Sequence, residues 1–263
     1  MLFLKLGGSL ITEKDKPSMV RADTLARVSK EIATARAADP GMRLLLGHGS
    51  GSFGHFPAQQ HGTRRGVASP EQWRGFTEVW RQAAALNHLV MDALHAAGLP
   101  AVAFPPSASV LAADGTILAW DLQPIRGALE AGLLPVVFGD VAFDTVRGGT
   151  ILSTEDLFVH SALNLKPARI LLTGDEEGVL ANYLSNPQLI REITPASYSQ
   201  IIANLSGPAV PDVTGGMVGK VEAMLGLIDQ LADCQVRIFS GLVPGNIQKA
   251  ISGASLGTLL KHD

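Results

Sequence analysis

A single cysteine, Cys234, is present in 263 residues. That excludes an internal disulfide framework and suits a reducing compartment. Charge is sparse as well, with 17% Asp, Glu, Lys and Arg and a formal net charge of −3. The chain therefore has no bulk positive field to draw nucleic acid or an anionic membrane, and neither is an expected partner. Any phosphate site must be a local cluster of cations. The early apolar run MLFLKLGGSLI is too short to span a bilayer and lacks a signal-peptide cleavage pattern, so a soluble cytoplasmic protein is expected. No G-x-x-x-x-G-K-[ST] segment occurs, which removes the P-loop class. Repeats and low-complexity tracts are missing too.

What is present is 46% hydrophobic residues, enough for a sizeable core. The length fits one large domain with two lobes, or two small domains. The most informative stretch is GHGSGSFGH, residues 47 to 55, which follows the apolar run Arg43-Leu44-Leu45-Leu46. Glycines let the backbone turn sharply and approach a ligand. Successive N–H groups in such a loop, with a helix start behind them, form an anion cradle. The two histidines and two serines add donors. The stretch therefore predicts a phosphate loop. A glycine-rich strand-to-helix turn without a ligand is the plain alternative. A dinucleotide fingerprint fits poorly, because Glu71, at about the right distance, follows Ser69-Pro70 and opens a helical pattern.

The remaining chain alternates strands and helices. Leu2–Leu6 reads as a strand with Lys5 inside it, a costly position unless the charge meets a partner or snorkels from an edge strand. Lys14, in a charged loop, reads alone as a solvated residue. Asp23 is positioned to cap a helix over 23–38. Ser69-Pro70-Glu71 signals a long helix toward Gly98. On it Phe76, Val79, Trp80, Ala83, Leu86, Val90 and Leu94 recur at helical spacing. This stripe is core, or its first turns line an apolar pocket beside the glycine-rich loop. Further strands are expected at 101–104, 117–120, 133–138, 170–172, 236–239 and 257–260. A hairpin over 141–149 would turn at Gly148-Gly149, and helices are expected at 124–131, 154–165 and 221–231. A second glycine motif, residues 212–220, places Lys220 at a helix start. The pattern predicts an α/β fold whose mostly parallel sheet is covered on both faces.

KLGGS at residues 5–9, the glycine-rich second βα loop, T-G-D-E-E-G-V at 173–179 and D-V-T-G-G-M-V-G-K at 212–220 occur in an order and spacing that resemble the amino acid kinase family. The resemblance covers nearly the whole chain. The terminal His55 of H-G-S-G-S-F-G-H is similar to the members whose acceptor is itself a phosphate. The resemblance implies an open αβα sandwich forming one domain over residues 1–263, with an acceptor lobe near 1–150 and an ATP lobe near 151–263, and a homodimer. It implies ATP-dependent phosphorylation of isopentenyl phosphate to isopentenyl diphosphate in isoprenoid biosynthesis, with Mg²⁺. It places Lys5, Lys14, His55, Glu155 and Lys220 at the chemistry. It places Gly7, Gly8, Ser9, Gly51, Asp175 and Gly216, with Lys5 and Lys220, at ATP. Ser50 and His55 would hold the acceptor phosphate, with Gly54 and Thr154 also at the substrate, and the apolar residues Phe76, Val79, Trp80 and Ala83 on the early turns of the following helix are then the expected wall of its apolar tail. Two departures stand out. Glu155 occupies the place of a family aspartate that orients two lysines, so either the lysines shift or Asp156 shares the role. Ser50 replaces a glycine, narrowing the cradle or adding a hydroxyl. A fosfomycin kinase-like enzyme and a non-catalytic nucleotide-binding regulator remain the alternatives.

Overall fold

A computed structural model describes residues 1–182, 186–205 and 216–263. Residues 212–215 of the second glycine motif lie outside these. The chain begins β1 (Leu2–Leu6), α1 (Gly8–Ile11), α2 (Ala22–Ala38), β2 (Leu44–His48), α3 (Gly51–His61) and a 3-10 turn at Thr63–Arg65. It continues with α4 (Pro70–Ala96), β3 (Ala101–Ala103), α5 (Pro106–Ser109), β4 (Val110–Ala113), β5 (Thr116–Trp120), α6 (Gln123–Glu130) and β6 (Leu134–Phe138). Next come β7 (Asp140–Asp144), β8 (Gly148–Leu152), α7 (Thr154–Leu165), β9 (Arg169–Gly174), β10 (Leu180–Ala181), β11 (Gln188–Leu189) and β12 (Glu192–Ile193). It ends α8 (Pro195–Leu205), α9 (Gly216–Ile228), β13 (Gln235–Ser240), α10 (Asn246–Ile251) and β14 (Thr258–Leu260).

The frame is an eight-stranded sheet in the order β12-β14-β13-β9-β1-β2-β6-β3. Neighbours run parallel except β13 and β14. Side chains alternate across β1, as a pleated strand requires. Leu2, Leu4 and Leu6 join one layer with Val28 and Ile32 of α2, Leu86 and Val90 of α4 and Ile247 of α10. Phe3 joins the other with Leu157 and Phe158 of α7 and Val221 and Met224 of α9. A smaller sheet, β5-β4-β7-β8, stands beside this frame. Among the described residues no helix is long and apolar enough to cross a membrane.

Several local expectations need correction. The stretch 47–55 is not one loop: β2 runs through His48, and α3 starts at Gly51, leaving only Gly49-Ser50 between. Asp23 lies in the first turn of α2, whose N-cap is Arg21. Gly148-Gly149 sits in β8, and the hairpin turn is instead organised by Asp144. Its carboxylate accepts from the backbone of Asp114, Gly115, Val146 and Arg147 at 3.0, 2.7, 2.9 and 2.8 Å. Helix α9 starts at Gly216, a turn earlier than expected. By contrast, Ser69 and Ser153 each close a capping box, with Gln72 and Asp156 respectively.

Candidate active site

The carboxyl ends of β1, β2 and β9 lie side by side, the place where parallel α/β sheets bind ligands. Two glycine turns meet there backbone to backbone. A Cβ on Gly8 would stand 2.5 Å from Gly51 Cα, and one on Gly49 would stand 2.8 Å from Gly8 N. Gly51 also has φ +49°, a left-handed conformation that favours glycine. Thr12, which the sequence did not single out, clamps the pair. Its hydroxyl donates to Gly8 O at 2.8 Å and accepts from Ser52 N at 3.0 Å. Gly54 lies one helical turn from Ser50, and a Cβ there would stand 2.5 Å from Ser50 Cβ. The serine that departs from the family pattern is thus accommodated by a glycine.

Lys5 projects from the middle of the sheet, 8% exposed, between Gly47 of β2 and Leu172 of β9. The edge-strand reading of this lysine is therefore wrong. Its ammonium donates to the Glu155 carboxylate, an ion pair between residues 150 positions apart. Gly47 makes the approach possible. A Cβ there would be 2.5 Å from Thr154 Cγ2 and 2.7 Å from the Phe158 ring, so α7 rests directly on β2 and sets Glu155 over Lys5. Burial alone pushes the Glu155 carboxyl up, but Lys5, the field of Lys220 and the Lys5 hydrogen bond outweigh it and hold it below the usual carboxylate value.

Asp156 does not share this role. Its carboxylate caps α7, accepting from Ser153 N and Oγ at 2.7 Å, and lies 3.6 Å from Arg64 Nη2. Lys14 is held by a different carboxylate, Asp175, at 2.7 Å. Asp175 also accepts from Ser9 Oγ at 2.8 Å. Burial pushes Asp175 up, and the Lys14 and Ser9 hydrogen bonds bring it below its ordinary value. So the structure gathers Gly7, Gly8, Ser9, Gly51, Lys5, Glu155, Lys14 and Asp175 around the strand ends. Lys220 reaches Glu155 electrostatically from the second turn of α9.

Ionised Glu155 favours the native state above its ordinary value of 4.5, and that contribution is lost as pH falls through the lower folded value. Glu155→Gln should therefore lose less melting temperature than the parent between about pH 5 and about pH 3. Equal slopes would place the acid lability elsewhere.

His55 is half-buried on α3, edge-on to Phe56 at 6.4 Å. Thr154 is buried and its hydroxyl donates to His48 O at 2.6 Å, so it braces the turn from within. On α4 Phe76, Val79 and Ala83 are buried, whereas Trp80 is 47% exposed. Phe76 lies 5.1 Å from Trp73 and 5.4 Å from Phe143, in a cluster with Ala58, Val67 and Val141. The sequence also passed over Asp140. It opens β7 almost fully buried, accepting from Val141 N at 2.8 Å and Ser107 N at 3.3 Å, and burial raises its carboxyl.

Two glycine turns thus pack against each other at parallel strand ends of an α/β sandwich, and the same sheet carries a buried lysine–carboxylate pair. Residues 1–240 match the amino acid kinase family, and the chain belongs to it. It is 38% identical over 264 residues to isopentenyl phosphate kinase of Methanothermobacter thermautotrophicus, covering 96% of each chain. It is 32% identical over 266 residues to isopentenyl phosphate kinase of Methanocaldococcus jannaschii, covering 98% of this chain and 97% of that one. A crystal structure of an isopentenyl phosphate kinase superposes with a TM-score of 0.84 at 33% identity, covering 99% of this chain and 100% of that one.

Proposed function

We propose that the protein transfers the γ-phosphoryl group of ATP to isopentenyl phosphate, forming isopentenyl diphosphate for isoprenoid synthesis. The observation that carries this reading is Lys5, buried on β1 two residues before the Gly7-Gly8 turn and ion-paired with Glu155. Phosphoryl transfer asks little covalent work of a protein. It needs in-line positioning and cations where two anions meet. Lys5, on the strand that leads into the first turn and beside the strand that leads into the second, is the cation assigned to both the donor and the acceptor phosphates. The Gly7–Ser9 turn with Gly51 receives the ATP phosphates, with Gly216 and Lys220 on the nucleotide side. Lys14, steered by Asp175, meets the charge that develops on the migrating group. Ser50, Gly54 and His55 hold the acceptor's phosphate, and Thr154 supports them through His48. The acceptor oxygen is largely ionised near neutral pH, so no strong general base is needed. Phe76, Val79, Trp80 and Ala83 border the tail.

Magnesium fits the residues present. Mg²⁺ is commonly held by substrate phosphates and only one or two carboxylates. Among the described residues no group of three or more His, Cys, Asp or Glu gathers as a protein-only metal site, while Asp175 and Ser9 stand at the phosphate end. Bound there, the ion would neutralise phosphate charge. A homodimer, a cytoplasmic location and lobes dividing near residue 150 belong to the same reading. The single cysteine, buried at Cys234, agrees with a reducing compartment.

A coupled ADP-release assay across isopentenyl phosphate, dimethylallyl phosphate, fosfomycin and N-acetylglutamate tests the reading. The expected result is the highest kcat/KM with isopentenyl phosphate. A higher value with fosfomycin would overturn it, and failure of every acceptor in the panel to elicit ADP release would favour a non-catalytic nucleotide-binding regulator. In the same assay His55→Ala should lower kcat/KM for the acceptor by about 10- to 100-fold, the loss of one hydrogen bond to a charged phosphate. An unchanged value would remove His55 from the acceptor site.

A further inference from the structure

The side chains of His48 and Asn87 form a buried polar pair to which the phosphoryl-transfer reading, which draws only on the His48 carbonyl, gives no role. His48 is the last residue of β2 and is fully buried, and Asn87 on α4 is nearly so. His48 Nδ1 lies 3.1 Å from Gly49 O, and Nε2 lies 3.2 Å from Asn87 Oδ1. The imidazole stacks on Phe138 at 5.3 Å and 7°. Burial lowers its pKa and nearby Lys5 pushes the same way, against the hydrogen bonds to Gly49 and Asn87, which favours the neutral ring. A neutral imidazole carries one N–H. Gly49 O and Asn87 Oδ1 both accept, so both nitrogens are satisfied when Nδ1–H donates to Gly49 O and the Asn87 amide is turned end for end, its N–H replacing Oδ1 opposite Nε2.

We infer that His48 and Asn87 are positioning residues for the acceptor's phosphate, holding the Gly49–Ser50 peptide so that the Ser50 N–H faces the cradle. In a trans peptide the C=O of one residue and the N–H of the next point in opposite directions, and no peptide here is cis. His48 draws the Gly49 carbonyl into the interior. The Ser50 N–H is thereby aimed the opposite way, and Gly139 packs beside it, a Cβ there lying at an ordinary contact distance of 3.7 Å from Ser50 N. Two further bonds fix the same corner: His48 O accepts from Thr154 Oγ1 at 2.6 Å and from Gly139 N at 3.1 Å. Asn87 brings in α4, the helix whose earlier turns border the proposed tail pocket. The pair therefore locks the phosphate end of the acceptor site to its apolar end. This inference rests on the proposed placement of the acceptor phosphate at Ser50–His55.

Steady-state kinetics of four proteins test it: the parent, His48→Phe, His48→Asn and Asn87→Leu, each with isopentenyl phosphate and ATP varied in turn. His48→Phe keeps a ring against Phe138 but loses both hydrogen bonds. His48→Asn retains an N–H near the Nδ1 position. The expected result is a KM for isopentenyl phosphate raised about tenfold in His48→Phe and Asn87→Leu, the loss of one hydrogen bond. The KM for ATP should be unchanged, and His48→Asn should lie close to the parent. If His48→Phe does not fold, the comparison of His48→Asn with Asn87→Leu carries the same expectation. An unchanged acceptor KM in Asn87→Leu and in folded His48→Phe would overturn the inference. So would a loss of melting temperature and active fraction with both KM values intact, which would make the pair purely structural. A parent enzyme that turns over no isopentenyl phosphate would instead overturn the proposed function, and this inference with it.

Discussion

Lys5→Met should abolish most of the activity, lowering kcat by roughly 10³-fold, in the range seen when a preorganised charge is removed from a transferring phosphoryl group. The loss should fall on kcat more than on the KM for ATP, because the charge matters most where it develops in the transition state. Stability should suffer too. The substitution leaves the Glu155 carboxylate facing an apolar side chain, and removing one partner of a buried pair costs about 3 kcal/mol or more. Lys220 supplies only part of the compensation. These two effects separate in the double variant Lys5→Met/Glu155→Gln, which removes the stranded charge as well. It should recover much of the melting temperature and stay inactive. A Lys5→Met enzyme that kept kcat within about tenfold of the parent would contradict the placement of this lysine at the reacting phosphates.

Phe76→Ala carries the second large effect. The ring is 6% exposed and packed against Trp73 and Phe143, and a Cβ on Gly149 would be 2.9 Å from it. Truncating such a ring costs about 3–5 kcal/mol in lost burial and cavity. If α4 also walls the apolar tail, the same cavity should admit a longer chain, and turnover of geranyl phosphate should rise above the parent's. Discrimination by such a cavity is shallow, about 1–3 kcal/mol per methylene, so one truncation is enough to see it. Trp80→Ala is the control. Being 47% exposed, Trp80 should change melting temperature little when truncated. Any gain on geranyl phosphate in that variant would then report the pocket alone. Strong destabilisation by Phe76→Ala with no gain on the longer substrate would assign Phe76 to the core only.

The frame of the molecule was legible because buried parallel strands are short apolar runs, as in Leu2–Leu6 and Leu134–Phe138, and because caps such as Ser69 and Ser153 announce their helices. The two-residue strands β10, β11 and β12 leave no such run and went unseen. Residue types at the site were legible through their family pattern, but their pairing was not. Nothing local links Lys5 to Glu155 or Lys14 to Asp175. Those contacts exist because β1 lies between β2 and β9 and because Gly47 lets α7 settle on the sheet. His48 was misread as a loop donor because Gly47 hid the continuation of β2 into it. The α4 stripe showed that Phe76, Val79, Trp80 and Ala83 share neighbouring faces, yet 3.6-residue spacing alone does not say that α3 and the hairpin cover Phe76 and leave Trp80 outside.

The most direct test of the central claim is the product itself. Purified protein, ATP, Mg²⁺ and isopentenyl phosphate should be incubated and followed by phosphorus NMR. The account predicts that the single acceptor resonance is replaced by two mutually coupled resonances of a diphosphate ester, in step with conversion of ATP to ADP. Accumulation of ADP and inorganic phosphate with the acceptor resonance untouched would contradict it.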